Sequence, residues 1–212
     1  MKKQQQKHQQ QTKRPGDHFY HEAKEQGFLA RSVFKLQEID QKYRLFPQNR
    51  REPFFVIDLG CAPGSWLQYV IKKLNKDDRV VGIDLNNITI SDEHIIFFQR
   101  DINDVTSEEL FNAIKTDKRF NMVLSDMAPR TSGIKSADQL RSAELCREAL
   151  RVAISTLKKD GKFVIKVFQS NELKALTNDI KKYFTDVNIF KPESSRKESF
   201  EIYIVATGFQ HK

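Results

Sequence analysis

Short apolar runs alternate with segments of helical periodicity along most of the chain. Uninterrupted apolar runs predict strands that are buried on both faces, whereas apolar residues spaced three and four apart predict helices. The predicted strands are 54–57, 79–84, 95–98, 122–126, 163–167, 187–190 and 200–206. The predicted helices are 33–43, 66–74, 107–115, 140–157 and 172–184, and we expect Gly161 to stop the fourth of them.

This alternation predicts an α/β fold with a mostly parallel sheet and helices on both faces. The last two strands, 187–190 and 200–206, have no helical pattern between them, so we expect an antiparallel pair at one edge. In sheets of this kind a ligand binds at the carboxyl ends of the strands. The residues that follow each strand are therefore the first candidates for chemistry.

Composition limits the class of protein. The 212 residues suffice for one domain, and we expect residues 1–16 to form a disordered basic tail rich in Gln and Lys, followed by a single domain over 17–212. The net charge is +8, and residues 1–14 contain five basic residues and no acidic one. A basic arm attracts polyanions such as nucleic acid, although it also serves simply to keep a protein soluble.

Several classes are disfavoured by the same sequence. No apolar run approaches the roughly 18 residues that cross a bilayer, and the N-terminus has no secretory pattern. Two cysteines are too few for a disulfide framework or a four-cysteine zinc site, and we see no sign of another metal site. We therefore expect a cytoplasmic protein.

A glycine-containing turn follows the first strand, in the segment DLGCAPGSW over 58–66. Gly60 and Gly64 permit close approach of the backbone to a ligand, and the amides that open the next helix favour an anionic group. The spacing differs from the G-x-G-x-x-G of dinucleotide-binding proteins, which argues against a nicotinamide dehydrogenase. A plain tight turn explains the segment equally well.

Two further acidic residues follow strands. Asp84 ends the second strand, where a carboxylate can accept hydrogen bonds from both hydroxyls of a ribose. Asp101 follows the third strand and is suited to an exocyclic amine of adenine. One such aspartate is usually a turn or capping residue, but two beside a glycine turn favour an adenosine-type ligand.

Four other charged residues stand out against apolar surroundings. Lys166 lies inside a predicted strand, where a lysine must reach the strand end or find a carboxylate partner. Asp126 ends the fourth strand, Lys35 lies on an apolar helix pattern, and Glu201 opens the last strand. Each of these is weak alone, since solvated or edge-strand charge is the ordinary explanation.

Taken together, several blocks of the chain resemble the FtsJ/RrmJ family of S-adenosylmethionine-dependent RNA 2′-O-ribose methyltransferases. The resemblance runs from about residue 17 to residue 209 in order and without a large gap. The blocks are ARSVFKL over 30–36, DLGCAPGSW over 58–66, SDMAP over 125–129, FVIKVF over 163–168 and SSRKESFEIY over 194–203.

The resemblance implies a Rossmann-like methyltransferase fold with seven strands, one of them an antiparallel edge strand. It also implies a catalytic tetrad of Lys35, Asp126, Lys166 and Glu201, in which Lys166 is a base or a stabiliser of the oxyanion. S-adenosylmethionine is the implied cofactor. The residues assigned to its binding are Asp58, Gly60, Pro63, Gly64, Trp66, Asp84, Asp101 and Asp126.

The substrate implied by the resemblance is RNA, most simply a uridine of 23S ribosomal RNA in the large ribosomal subunit. Methylation of anticodon-loop riboses in tRNA is the first alternative, and a non-catalytic RNA-binding module is the second. Basic residues flank the loops that carry Asp126 and Glu201, and we expect them to contact phosphates. These residues are Arg130, Lys135, Arg196 and Lys197.

Overall fold

The computed structural model describes residues 18–196 and 198–211. The predicted tail at residues 1–16 and the predicted RNA contact Lys197 lie outside the described residues. The helices are α1 (His18–Glu25), α2 (Val33–Tyr43), α3 (Ser65–Ile71), α4 (Ser107–Ala113), α5 (Lys135–Thr156) and α6 (Glu172–Lys181), with a 3₁₀ turn at Ile102–Asp104. The strands are β1 (Phe55–Leu59), β2 (Arg79–Asp84), β3 (Ile95–Gln99), β4 (Phe120–Ser125), β5 (Leu157–Phe168), β6 (Phe184–Phe190) and β7 (Glu201–Phe209).

The seven strands form one sheet in the order β3-β2-β1-β4-β5-β7-β6. Neighbours from β3 to β5 pair in parallel, and β7 pairs antiparallel with both β5 and β6. The predicted fold class is confirmed, with one refinement. The antiparallel strand is β7, and it lies one position inside the edge, which is formed by β6. After β5 the chain continues through α6 into the edge strand β6, and β7 then inserts between β5 and β6.

Apolar cores cover both faces of the sheet. Ile57 belongs to the core beneath α4, α5 and α6, whereas its neighbour Val56 belongs to the core beneath α1, α2 and α3. Because consecutive strand residues point to opposite faces, a strand covered on both sides is apolar at every position. No helix in the described part of the chain is long and apolar enough to cross a membrane.

The end of α5 differs from its prediction. The helix ends at Thr156, and Leu157 starts β5, so Gly161 lies inside a strand and does not stop the helix. The pairing of β4 with β5 is irregular around Gly161: the partner shifts from Leu157 to Lys162 over two residues of β4. Leu140, the apolar residue at which the predicted helix begins, is 50% exposed.

A buried carboxylate fixes the helix that carries Lys35. Asp40, in the last turn of α2, accepts hydrogen bonds from the amides of Leu45 and Phe46 and from the hydroxyl of Tyr69 on α3, the last at 2.7 Å. Charge-assisted bonds of this kind are among the stronger ones in proteins. They hold α2 against α3, which follows the glycine turn.

Candidate active site

Four charged side chains from distant parts of the chain meet at the carboxyl-end rim of the sheet. Asp126 follows β4, and Lys166 lies near the end of β5. Glu201 reaches the same rim as the first residue of β7, because β7 runs in the opposite direction and pairs with the end of β5. Lys35 approaches from the first turn of α2.

The four side chains form a chain of alternating charge. Lys35 Nζ lies 2.7 Å from Glu201 Oε2, and Lys166 Nζ lies 3.9 Å from Glu201 Oε1 and 3.1 Å from Asp126 Oδ1. Lys166 also donates to the main-chain oxygen of Asp126 at 2.5 Å. The Lys166 side chain is 6% exposed, so its charge is held by these carboxylates and little by water.

Tyr203 is a member of this cluster that the sequence analysis missed. Its hydroxyl donates to Asp126 Oδ1 at 2.7 Å, and its ring packs 6.0 Å from that of Trp66. Burial raises the pKa of Tyr203 and the negative charge of Asp126 raises it further, so the phenol keeps its proton. The available signal was strand periodicity, since Tyr203 stands two residues after Glu201 and shares its face.

A cavity of about 350 Å³ opens beside Asp126, at the ends of β1 to β4. We name it the glycine-loop cavity. Its lining includes Gly60, Ala62, Asp84, Asp101, Asp126 and Arg130.

Asp84 holds the wall of the glycine-loop cavity in shape. Its Oδ2 accepts from the amide of Ala62 at 2.9 Å, and its Oδ1 accepts from the amide of Asn86 at 2.7 Å. Oδ1 also accepts from the side-chain amide of Asn86 at 3.2 Å, so the lone pair that remains for a ligand is on Oδ2. Asp101 accepts in the same way from the amide of Asn103 at 2.9 Å. Both aspartates therefore present preoriented acceptors to the cavity.

Gly60 brings the glycine turn against the loop that carries Asp126. Its φ is +74°, and a Cβ there would lie 2.6 Å from Cγ of Met127. A side chain at this position would thus be strained and would push the Asp126 loop away. The glycine is what allows the cavity and the charged cluster to share a wall.

Four residues assigned to the cofactor by resemblance do not line the glycine-loop cavity: Asp58, Pro63, Gly64 and Trp66. The indole of Trp66 donates to the main-chain oxygen of Ser32 at 2.9 Å and holds α2 in place. Both carboxylate oxygens of Asp58 are buried without a hydrogen-bond partner within the described residues. Burial raises the pKa of Asp58, and the charges of Asp126 and Asp84 raise it further.

Two more depressions adjoin the cluster. The Lys35 cavity, of about 430 Å³, is lined by Arg31, Ser32, Lys35, Arg196, Ser199 and Glu201 among others. The Phe200 pocket, of about 830 Å³, includes Lys135, Gln139, Gln169, Ser170, Asn171 and Phe200. The four charged side chains thus lie between the glycine-loop cavity, which Asp126 lines, and the Lys35 cavity, which Lys35 and Glu201 line.

Comparison with known proteins identifies the family. The sequence profile described as FtsJ-like methyltransferase matches residues 28–209. The chain belongs to the FtsJ-like methyltransferase family. Among its relatives, the ribosomal RNA large subunit methyltransferase E of Bdellovibrio bacteriovorus is 45% identical over 194 residues, which cover 92% of this chain and 97% of the relative.

Two further comparisons agree with this family. The protein of the same name from Desulfatibacillum aliphaticivorans is 46% identical, with 89% of this chain and 88% of the relative covered. A crystal structure described as a ribosomal RNA methyltransferase from Plasmodium falciparum superposes with a TM-score of 0.75 at 26% identity, and it covers 87% of this chain and 100% of that one. The methyltransferase family implies a methyl donor.

The predicted RNA contacts of this FtsJ-like methyltransferase surround the three depressions. Arg130 is exposed at the glycine-loop cavity, Arg196 lines the Lys35 cavity, and Lys135 lines the Phe200 pocket. Within residues 18–196 and 198–211, no group of three or more side chains is arranged to hold a metal ion.

The Glu201 carboxylate gives this methyltransferase a testable pH dependence. Burial alone would raise the pKa of Glu201, but Lys35 and Lys166 together hold it below the ordinary value of 4.5. A lowered pKa means that the carboxylate stabilises the fold fully above pH 4.5 and loses this effect as the pH falls through the folded-state pKa. We expect Glu201→Gln to cost about 1–3 kcal/mol near neutral pH and less as acid is added.

Urea unfolding of wild type and Glu201→Gln across this pH range measures the difference in free energy of unfolding. A difference of constant size down to about pH 3 would show that Glu201 contributes through packing and not through its charge.

Proposed function

We propose that this protein transfers a methyl group from S-adenosylmethionine to a ribose 2′-hydroxyl of large-subunit ribosomal RNA. The observation that carries the proposal is the position of Lys166, with Asp126 on its donor side and Glu201 on the side of the Lys35 cavity. A methyltransferase needs one site for the donor and one for the acceptor, with the reacting groups meeting between them.

The glycine-loop cavity has the chemistry for the donor. Asp84 would accept from the ribose hydroxyls through Oδ2, which bonds to the amide of Ala62 alone, and Asp101 would accept from the exocyclic amine of adenine through its own Oδ2. The close backbone approach at Gly60 suits a ligand laid along the turn. Bound S-adenosylmethionine would supply an electrophilic methyl group on a sulfonium.

Lys166 would act on the acceptor. A ribose hydroxyl is a weak nucleophile, and its oxygen gains negative charge as its proton leaves. The Lys166 ammonium is held rigidly by Asp126 and by Glu201, so it would stabilise that charge without reorganising. The hydroxyl proton would leave to solvent in the Lys35 cavity. Tyr203 would keep the Asp126 carboxylate oriented through its hydroxyl.

The choice of RNA rests on the relatives, which are named ribosomal RNA large subunit methyltransferase E. Exposed basic side chains around the three depressions supply the charge that a phosphate backbone requires. We place the activity in the cytoplasm, where large subunits are assembled in bacteria. Transfer-RNA anticodon loops are the alternative acceptor, and ordered charged groups between two cavities argue against a module that only binds RNA.

The decisive experiment supplies isotopically labelled S-adenosylmethionine to the purified protein with large ribosomal subunits from cells lacking its gene, and separately with bulk tRNA. We expect one labelled 2′-O-methylribose in the large-subunit RNA, located by mass mapping of nuclease fragments. Label on tRNA instead would reassign the substrate, and label on a base would refute the ribose assignment.

Electrostatic contact with phosphates predicts a salt dependence. We expect RNA affinity to fall linearly with salt on a double-logarithmic plot, and Arg130→Ala to lower the slope by about 0.7–0.9 for the lost phosphate contact. Lys181→Ala, at the far end of α6, is the matched control because this exposed lysine lies away from the rim. Equal slopes for Arg130→Ala and wild type would remove Arg130 from the RNA interface.

A further inference from the structure

The Phe200 pocket lies outside the charged cluster and has an aromatic and a basic side chain of its own. Phe200 is 51% exposed, which is unusual for a phenylalanine beside a buried ionic cluster. The ammonium of Lys135 lies 4.2 Å from the centre of its ring. The pocket therefore combines an aromatic surface with a positive charge, and none of the described residues lining it is acidic.

The pocket is rigidly connected to the proposed acceptor site. The amide of Gln169 donates to the main-chain oxygen of Phe200 at 2.8 Å, which joins the end of β5 to the start of β7. Glu201, the next residue, pairs with Phe168 in the sheet. Phe200 is thus held one residue from a carboxylate that bonds to Lys35 and approaches Lys166.

One residue that lines the pocket also has a polar atom without a partner. The hydroxyl oxygen of Ser170 is buried and has no hydrogen bond within the part of the chain that the structure describes. A buried hydroxyl without a partner costs free energy unless a ligand or water satisfies it. Gln139 bridges to the main-chain oxygen of Gln169 at 2.6 Å and leaves its own amide oxygen available on the same wall.

We propose that the Phe200 pocket binds an unpaired nucleotide that flanks the methylated ribose. Its base stacks on the open face of Phe200, its phosphate contacts Lys135, and its polar edge bonds to the Ser170 hydroxyl. Single-stranded RNA is recognised in this way, by aromatic stacking combined with a positive charge for the backbone. This inference rests on the proposed function, because it assumes that RNA is the acceptor.

The test compares Phe200→Leu with Phe200→Tyr. Leucine keeps an apolar side chain but cannot stack, whereas tyrosine retains an aromatic face. We expect Phe200→Leu to weaken binding to unmodified large ribosomal subunits roughly 5- to 150-fold, the effect of one stacked base, and Phe200→Tyr to recover most of the affinity. In methyl-transfer assays, the loss of base stacking in Phe200→Leu should raise KM for the subunits far more than it lowers kcat.

Ile189→Ala is the matched control, since Ile189 is an equally exposed apolar residue on β6. It should bind subunits like wild type. Calorimetric titration with S-adenosylmethionine and thermal unfolding establish that each variant is folded.

Two results would overturn the proposal: wild-type affinity of Phe200→Leu, or equal weakening of Phe200→Leu and Phe200→Tyr. A wild-type protein that methylates no ribose would instead refute the proposed function, while the binding comparison would still decide whether Phe200 contacts RNA.

Discussion

Lys166→Met should abolish most methyl transfer while leaving the donor site intact. The methionine preserves the volume of the buried stem but removes the charge that we propose faces the developing oxyanion, and the loss of such a group typically costs about 10²- to 10³-fold in kcat. The fold should survive, because Asp126 still accepts from Tyr203 and Glu201 still pairs with Lys35. Single-turnover transfer of labelled methyl to large subunits measures the rate, and calorimetry measures S-adenosylmethionine binding.

Lys159→Met is the control for this experiment. Lys159 is an exposed lysine on the same strand, far from the rim. Lys159→Met therefore makes the same change in net charge and composition as Lys166→Met, but it leaves the charged cluster intact. A Lys166→Met protein that methylates at the wild-type rate would exclude Lys166 from the reaction. A protein that loses donor binding as well would indicate that Lys166 supports the structure of the cavity.

Asp84→Ala should mainly lower the affinity for S-adenosylmethionine, whereas Lys166→Met should mainly lower the rate of methyl transfer. The substitution removes the proposed acceptor for the ribose hydroxyls and also leaves the amides of Ala62 and Asn86, which shape the cavity wall, without their partner. A hydrogen bond to a charged group contributes about 1.5–3 kcal/mol, so the dissociation constant for S-adenosylmethionine should rise about 10- to 150-fold. Calorimetric titration measures it directly.

The matched control is Asp104→Ala, which removes an exposed aspartate next to the same cavity that does not line it. Asp84→Asn separates the two contributions, since the amide retains one acceptor oxygen but loses the charge. Unchanged donor affinity in Asp84→Ala would place the donor elsewhere.

The sequence alone predicted the site residues that lie at the carboxyl ends of the parallel strands. Asp84 and Asp126 follow strands whose ends must meet at one rim, so their proximity follows from the topology alone. Lys35 and Glu201 needed the family resemblance. A helix pattern does not reveal which turn faces the sheet, and the direction of β7 determines whether its first or its last residue reaches the rim.

Other features depend on tertiary packing and leave little trace in a local pattern. The strand β5 starts directly after α5 and pairs irregularly with β4, so Gly161 lies within that strand and is not the residue that stops the helix. The contact of Gly60 with Met127 joins segments far apart in the chain, as does the bond between Tyr203 and Asp126. Asp58 and Asp84 are both aspartates at strand ends, so the sequence pattern treats them alike. Only the packing shows that Asp58 is buried away from the cavity while Asp84 lines it.

The reversed direction of β7 divides the rim into two parts with separate origins in the chain. The segments after β1, β2, β3 and β4 surround the glycine-loop cavity, whereas the β6–β7 connection enters from the opposite half of the sheet and leads into Phe200 and Glu201. Under the proposed function, substitutions or insertions in that connection would alter the acceptor side of Lys166 and leave the proposed donor cavity unchanged. On that assignment, one scaffold would diversify its targets while its methyl source stays constant.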